Sequence, residues 1–430
     1  MEKKDCETNR RHELISGALW GLILMGSALR IFVCFEQNPL DYLFSDPARH
    51  WSNGLRFFHP SYIGAGDSIF FQAYVHFLQV VSGNNRELIA GSSAFLSVIM
   101  PWTYYRVARE SGLTKVPGLA VWASIAWTPS LIVIYHYIMI ETLLLVIVGL
   151  SLWSTLRCLR VSSHGSWLLT VLLWTLAVLT KTTILPLAAT CILYLWWKTS
   201  KRLFWAVSAF ALVVVMLVPS AVRSQKYLGF IAPLGNPWVV ELVHRADTHG
   251  IQIEVGTAKY FFSSPSANSK PLDPLSPWMI QRAYTDSTLH VVVDPRNGSR
   301  DWQQASSEIH ADLQTRMHEL IENTILFLFS PTWPDSDRTS WDGWVNFYAR
   351  WMWAPLIFFV FDCNLREFWR GNFPLIPVAV TILTLFLAFQ NMATMEGRYR
   401  KPLEPLLLVN LFLVLSRPCR QFCQFPEPHL

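Results

Sequence analysis

Leu14 to Phe35, LISGALWGLILMGSALRIFVCF, and, a few residues on, Leu43 to Trp51, LFSDPARHW, together decide how this chain is read. About 20 residues at a 1.5 Å rise cross the hydrocarbon core of a bilayer, so the first stretch is long enough to span one. The second is polar, is marked by Pro47 and carries one carboxylate, Asp46. It emerges at a membrane surface just after the first crossing. Asp before Pro is common turn chemistry, and the stretch reads as a turn.

Composition places the rest of the chain in the same class. Of 430 residues, 52% are hydrophobic and 15% charged, with 20 Trp and 27 Phe, which is too apolar and aromatic for an ordinary soluble enzyme. The net charge of +5 comes from short Lys and Arg clusters between apolar runs. A nucleic-acid binder would show a continuous basic face instead, so that class is set aside. The basic N-terminus, Glu2 to Arg11, looks like the start of a signal peptide, but the apolar run is too long and no small-residue cleavage site follows. It reads as an uncleaved first span. Seven cysteines lie in or beside apolar segments or in a tail, and none falls in the polar region 223–345, so no disulfide framework holds that region.

Apolar runs predict an all-α polytopic membrane protein with about ten transmembrane helices, near 14–35, 87–106, 117–134, 141–159, 166–180, 183–197, 203–221, 346–363, 373–391 and 402–416. The fifth and sixth are short and read as a tight hairpin. Lys and Arg in short connections stay in the cytoplasm, and one topology satisfies this. With the N-terminus inside, every inner connection carries at least two basic residues: Arg106, Arg109 and Lys115; Arg157 and Arg160; Lys198, Lys201 and Arg202; Arg366 and Arg370; Arg417 and Arg420. The short outer connection from Tyr135 to Glu141 carries none.

Three units follow. Residues 1–221 form an N-terminal transmembrane module with a first outer loop at 36–86. Residues 222–345 form an extracytoplasmic loop region, and 346–430 the last helices and a short cytoplasmic tail. In the first loop, Ser68 to Leu78 is apolar and aromatic but short, which suits a helix lying in the interface. In the second outer region Pro277 to Tyr284 and Ala305 to Phe329 look helical. Asn297-Gly298-Ser299 fits the glycosylation acceptor pattern, a three-residue match frequent by chance. Asp335 and Asp337 make a weak acidic pair that could hold a divalent cation, and no other metal spacing appears. P-loop, dinucleotide and nucleophile-elbow motifs are absent, which disfavours a nucleotide-driven pump.

The candidate site is where the positive-inside pattern fails. Arg398, Arg400 and Lys401 stand at the outer end of the last two spans, Lys181 at the outer tip of the hairpin, and Arg223 and Lys226 after the seventh span. Arg49 and Arg56 join them from the first loop. Cations near hydrocarbon need a partner, and an anionic ligand such as a lipid phosphate would supply one, since Arg forks match phosphate oxygens. The bland alternative is that they anchor to phospholipid headgroups or pair with Glu141, Glu396 and Glu404. Glu141 itself reads as a helix-start carboxylate unless it faces the same cavity as Asp46. His50, His59 and His136 lack ligand spacing and read as local hydrogen-bonding groups. The catalytic candidates are thus Asp46 and Glu141, and the substrate-binding candidates Arg49, His50, Lys181, Arg223, Arg398, Tyr399 and Arg400.

An ordered series of short motifs resembles a known class. It consists of Asp46 in the first outer loop, Ile140-Glu141-Thr142 at the start of the fourth span, and Leu179-Thr180-Lys181-Thr182 between two short helices. Pro219-Ser220-Ala221-Val222-Arg223 with Tyr227-Leu228-Gly229-Phe230 leads into the long loop, and Arg398-Tyr399-Arg400-Lys401-Pro402-Leu403-Glu404-Pro405 precedes the last span. This order is similar to that of the GT-C class of membrane glycosyltransferases, in particular bacterial relatives of protein O-mannosyltransferases and of the aminoarabinose transferase that modifies lipid A. The resemblance implies a donor sugar on a polyprenyl phosphate, a lipid, glycan or protein acceptor, and Asp46 as base or acceptor-orienting group. Lys181, Arg398 and Arg400 are then the candidates for the lipid phosphate. The chain departs from the O-mannosyltransferase pattern, where an acidic pair stands in the first loop; here Asp46 is followed by Pro47. The expected reaction is inverting transfer at the outer face of a bacterial plasma membrane. Its rivals are a flippase of lipid-linked saccharides, which would want charges along its spans, and a structural subunit recruiting partners through 222–345.

Overall fold

The computed structural model describes residues 2–43, 45–60, 62–199, 202–229, 231–235, 251–262, 280–293, 320–321, 324, 327–329, 350–389 and 397–416. Pro334 to Asp337 and Asn297 to Ser299 lie outside these.

Helices dominate, in the order the apolar runs predict. They are α1 (Glu2–Glu36), α2 (Ser45–Leu55), α3 (Tyr62–Gly66), α4 (Ile69–Ser82), α5 (Arg86–Glu110), α6 (Lys115–Trp127), α7 (Ser130–Val133), α8 (Ile140–Val161), α9 (His164–Thr180), α10 (Leu185–Lys198), α11 (Arg202–Leu228), α12 (Trp353–Trp369), α13 (Leu375–Phe389) and α14 (Glu404–Leu415). The chain is an integral membrane protein: three stretches, His12–Glu36, Ile140–Val161 and Leu203–Tyr227, are long and apolar enough to span, and α6 with the segment Ser130–His136 makes a fourth if a bent pair counts as one. Their surroundings differ. In the most apolar window of α11 only 11% of residues are buried, against 78% in α8. The α11 surface, with Phe204, Phe210 and Val215 exposed, is what lipid would cover, while α8 is the central post of the bundle. Small residues let helices approach it: a Cβ on Gly149 would collide with Thr103 Oγ1, so only glycine lets α8 sit this close to α5.

Three sequence expectations are corrected. The Asp46 stretch is a helix, α2, with Asp46 and Pro47 in its first turn. Proline needs no N–H there and its φ suits a helix start, while the carboxylate meets the positive end of the dipole. The run 117–134 is not one helix but bends by 68° between α6 and α7. Pro129 has no N–H to give, and the residue before it is driven out of the helical region; Thr128 sits at φ −70°, ψ 114°. Finally, part of Pro277 to Tyr284 is strand: β1 (Ile251–Phe262) and β2 (Ile280–Val293) pair antiparallel with Ile251 opposite Val293.

The bend is held by a charge inside the first span. Arg30 is fully buried, and its guanidinium donates to the carbonyls of Ile125 (2.7 Å), Ala126 (2.9 Å), Leu131 (3.0 Å) and Ser97 (3.0 Å). Carbonyls freed where a helix breaks must find donors, because no water is present in hydrocarbon to supply them. An ionisable residue in an apolar run is the signal that could have found this in the sequence.

Candidate active site

One pole of the bundle collects the start of α5, the start of α8, the ends of α9 and α11, and the start of α14. The first outer loop folds over this pole. Asn38 donates to the Arg86 carbonyl at 2.9 Å, and Arg86 pairs with Asp41 at 2.6 Å, so the loop closes on itself from the end of α1 to the start of α5. Tyr42 then packs edge-on against Tyr137, ring centroids 5.3 Å apart, which sets the loop beside the turn leading to Glu141. Helix α4 lies under α2: Gln79 donates to the Trp51 carbonyl at 2.8 Å, and His50, almost wholly buried, meets the ring of Phe71 edge-on.

The first charged group forms within this loop. Arg49 stands between two carboxylates, 3.2 Å from Asp46 Oδ1 and 3.3 Å from Asp67 Oδ2. Asp46 retains 21% of its side-chain exposure and Asp67 only 4%. Asn53 donates to Asp67 at 2.8 Å. Burial pushes the Asp67 carboxyl up from 3.8 to about 6, further raised by Asp46 and held down by Arg49, Arg223 and the Asn53 hydrogen bond. Sequence reasoning missed Asp67. Between Gly66 and Ser68 it looks like loop punctuation, and what buries it arrives from far along the chain. Gly235, at φ +70°, lies so close that a Cβ there would run into the Gly66 carbonyl oxygen. Only glycine takes this conformation without strain and lets the backbone approach so nearly.

Arg223, near the end of α11, borders this group. Its Nη2 donates to Gln72 Oε1 at 2.6 Å, and its guanidinium carbon lies 5.1 Å from the Phe57 ring centroid. Gln72 is fully buried and donates in turn to the Gly64 carbonyl at 2.7 Å, so Arg223 is anchored through α4 to the Asp67 turn. The Nε and Nη1 of Arg223 are buried without a hydrogen-bond partner among the described residues. A buried donor left unsatisfied costs about 1–3 kcal/mol, and more when charged, so such a pair of N–H groups needs a reason.

A second group joins α8 to the α9–α10 hairpin. Lys181, at the tip as expected, donates to Glu141 Oε1; the Lys is 13% exposed and the Glu 2%. The Lys181 ammonium also lies 4.5 Å from the Tyr399 ring centroid. A third group is wholly interior. Arg400 Nε pairs with Glu404 at 3.2 Å and its Nη1 donates to the carbonyls of Phe327 and Leu328. Lys401 pairs with the same carboxylate at 3.3 Å and donates to the Ser130 carbonyl at 2.7 Å, while Ser130 Oγ donates to Glu404 at 2.7 Å. All three charged residues have zero exposure.

The structure thus brings Asp46, Arg49, His50 and Arg223 into one neighbourhood with Asp67, and Glu141, Lys181 and Tyr399 into another. Arg400 is spent on Glu404. Arg398 lies in the 3-10 turn Gly397–Arg400, and its side chain is outside the described set. Of the alternative pairings foreseen for the outer cations, those with Glu141 and Glu404 are formed, and Glu396 lies outside the described residues. Among the described residues no cluster of three or more His, Cys, Asp or Glu could hold a metal ion.

Residues 68–221 match the family described as dolichyl-phosphate-mannose-protein mannosyltransferase. The matched stretch is a little over a third of the chain, runs from the start of α4 into α11, and includes Glu141 and Lys181. It begins one residue after Asp67. No curated protein matches the chain. The family match supports a membrane glycosyltransferase of the GT-C type.

Proposed function

We propose that this GT-C-like membrane glycosyltransferase moves a sugar from a polyprenyl-phosphate donor to an acceptor hydroxyl at the outer face of the membrane, with inversion, and that Asp46 is the base. The observation that carries the reading is the Arg223 guanidinium: two buried N–H groups without protein acceptors among the described residues stand beside the group formed by Asp46, Arg49 and Asp67. A donor phosphate would satisfy that edge with charge-assisted hydrogen bonds. The family's description names a lipid-phosphate sugar as donor, which agrees with an anion at this place.

The chemistry asks for two things at once. The acceptor oxygen must lose its proton as it attacks the anomeric carbon, and the departing phosphate must have its growing negative charge held. Asp46 is the more exposed of the two carboxylates and meets the first need. Arg49 fixes its position, and Asp67 fixes Arg49 from the buried side. For the phosphate, Arg223 and Lys181 are the groups proposed, with Arg398 as a third candidate from its place in the sequence. Arg400, enclosed by Glu404, drops from that role and becomes a structural ion. Lys181 reaches a phosphate only by sharing or leaving Glu141, so Glu141 sets when that lysine is free. In this reading residues 1–221 form the catalytic membrane module, 222–345 the outer region that faces the acceptor, and 346–430 a supporting helical unit. Membrane lipids surround it, and neither sugar nor acceptor is specified by the residues described.

The test is Asp46→Asn in folded, purified full chain supplied with a polyprenyl-phosphate sugar and acceptor glycolipids. Loss of transfer with retained donor binding is expected. Full transfer by the variant would remove Asp46 from the chemistry, and translocation of the donor lipid without transfer would favour the flippase.

A further inference from the structure

The opposite pole holds a second place for a phosphate. Helix α8 has 22 residues, and Arg160 stands 19 residues after Glu141, about 28 Å along the axis, at the other end of the bundle. There the C-terminal turns of α5 and α8 meet around a cavity of about 250 Å³ lined by Tyr105, Arg106, Arg109, Glu110 and Arg160. Three guanidinium groups face one carboxylate.

Two of the arginines are partly committed. Arg109 donates to the Leu113 carbonyl at 2.8 Å, and Arg160 grips Glu110, with 2.8 Å to the carboxylate and 2.7 Å to the carbonyl. Arg106 is not. It lies beside an edge-to-face pair of indoles, its guanidinium carbon 4.6 Å from the Trp153 centroid and 5.8 Å from that of Trp102, the centroids themselves 5.7 Å apart, and it has no hydrogen-bond acceptor among the described residues. Stacking on a ring face leaves the N–H rim of the guanidinium for an acceptor in its own plane, the arrangement that suits a phosphate. A second cavity of about 260 Å³ opens on the other side of Glu110, and most of its lining is apolar, with Leu156, Leu159, Leu375, Ile376 and Leu413, while Ser111 and Tyr194 add polar atoms. A charged chamber beside a largely apolar one, at the end of the bundle marked by the basic clusters, matches an amphiphile with an anionic head and a hydrocarbon chain.

We propose that this pair of cavities binds the phosphate of an anionic phospholipid, head on Arg106 and Arg160, chain along Leu375 and Leu413. The pole concerned is the one that the positive-inside pattern assigns to the cytoplasm, so the lipid is drawn from the leaflet opposite the catalytic reaction. Glu110 is the competitor: its carboxylate occupies Arg160 when no lipid is present, and the lipid phosphate displaces it.

The test is native mass spectrometry of the full chain in phosphatidylcholine nanodiscs doped with phosphatidylglycerol, with soluble glycerol phosphate as a second ligand. Wild type is expected to retain phosphatidylglycerol over phosphatidylcholine. Arg106→Gln and Arg160→Gln should each weaken that retention about fivefold, the worth of one arginine near an anionic surface. Glu110→Gln should strengthen it, a gain that a misfolded variant cannot imitate. Unchanged retention in both Arg106→Gln and Glu110→Gln would overturn the site. Glycerol phosphate bound as tightly as the lipid, with the same dependence on Arg106, would overturn the lipid assignment and leave a site for a soluble phosphate ester. Either failure leaves the catalytic reading at the other pole untouched, because no residue is shared.

Discussion

Two charged groups stand at the same pole of the bundle and have opposite character. In the first, Arg400, Lys401 and Glu404 are fully buried; one carboxylate serves both cations, and the carbonyls of Phe327, Leu328 and Ser130 accept further bonds from them. In the second, Asp46 and Arg49 keep some exposure above a buried Asp67, and Arg223 beside them has donors left over. Both look alike in sequence, as cations on the side of the membrane where short loops avoid them. The difference teaches that enclosure around a shared carboxylate, and not charge or sequence position, marks Arg400 and Lys401 as structural, while the group that stays partly exposed is the candidate for binding. A closed network specifies packing, whereas an open one retains capacity for something not yet bound.

The comparison breaks most visibly at Asp46. If the open group is catalytic, Asp46→Asn lowers transfer about 10²- to 10⁴-fold, the usual worth of a general base, while the unfolding temperature moves little, since an ion pair that keeps part of its exposure to water contributes on the order of 1 kcal/mol. Steady-state transfer and thermal unfolding on the same preparation check both halves. A variant that loses both together would make the open group structural after all.

Glu404→Gln is the mirror experiment. It leaves Arg400 and Lys401 buried with no carboxylate, which destabilises by about 3–5 kcal/mol. The expected outcome is a large fall in unfolding temperature in detergent, with transfer lost only in proportion to the folded fraction. Unchanged stability would show that the carbonyls of Phe327, Leu328 and Ser130 suffice for the two cations.

Arg223→Gln sharpens the contrast further. A charged hydrogen bond to a ligand is worth about 1.5–3 kcal/mol, so the KM for the lipid donor should rise by about ten- to a hundredfold, with kcat less affected and stability nearly unchanged. Arg223→Lys, which restores charge without the fork, should recover part of that loss. An unaltered KM in both would place the donor phosphate elsewhere at this pole.

How far the sequence showed all this depends on the range of the forces involved. Helix positions were legible because apolar runs are local, and Lys181 was rightly set at the tip of a hairpin because short connections and charge patterns are local too. The pairing of the outer cations with Glu141 and Glu404 stood among the alternatives, but choosing it required knowing that Ser130 and Phe327 come alongside residue 400 from elsewhere in the chain. The helix break at Pro129 was readable in principle. Its counterpart Arg30 was not linked to it, since the two lie about a hundred residues apart. Asp67 was invisible for the same reason: a Gly-Asp-Ser sequence signals a turn, and its burial under Gly235 is a tertiary fact. An acidic pair adjacent in sequence was missing from the first loop, yet Asp46 and Asp67 form one in space around Arg49.

That spatial pair gives the finest test. The Asp67 carboxyl holds its proton more tightly in the folded chain, at about 6, than at its ordinary 3.8. Its protonation therefore contributes stability that is fully present below about pH 3.8 and is lost as pH rises through about 6. Asp67→Asn keeps the hydrogen-bonding shape and cannot ionise, so it should remove that dependence. Above pH 6 the variant gains on the wild type by on the order of 1–3 kcal/mol, because each tenfold difference in proton affinity between the folded and unfolded chain corresponds to about 1.4 kcal/mol. Below about pH 4 the two should coincide. The kinetic side is smaller. With Asp67 ionised, Arg49 is shared between two carboxylates, and Asp46 holds it less firmly; in the Asp67→Asn variant Arg49 turns wholly to Asp46 and lowers the affinity of that carboxylate for a proton. The acidic limb of the pH–rate profile should move to lower pH, and the rate near neutrality should fall by less than about tenfold, because a weaker base is a poorer one. A profile that keeps its acidic limb in place would mean that Asp67 reaches the reaction by no route through Arg49.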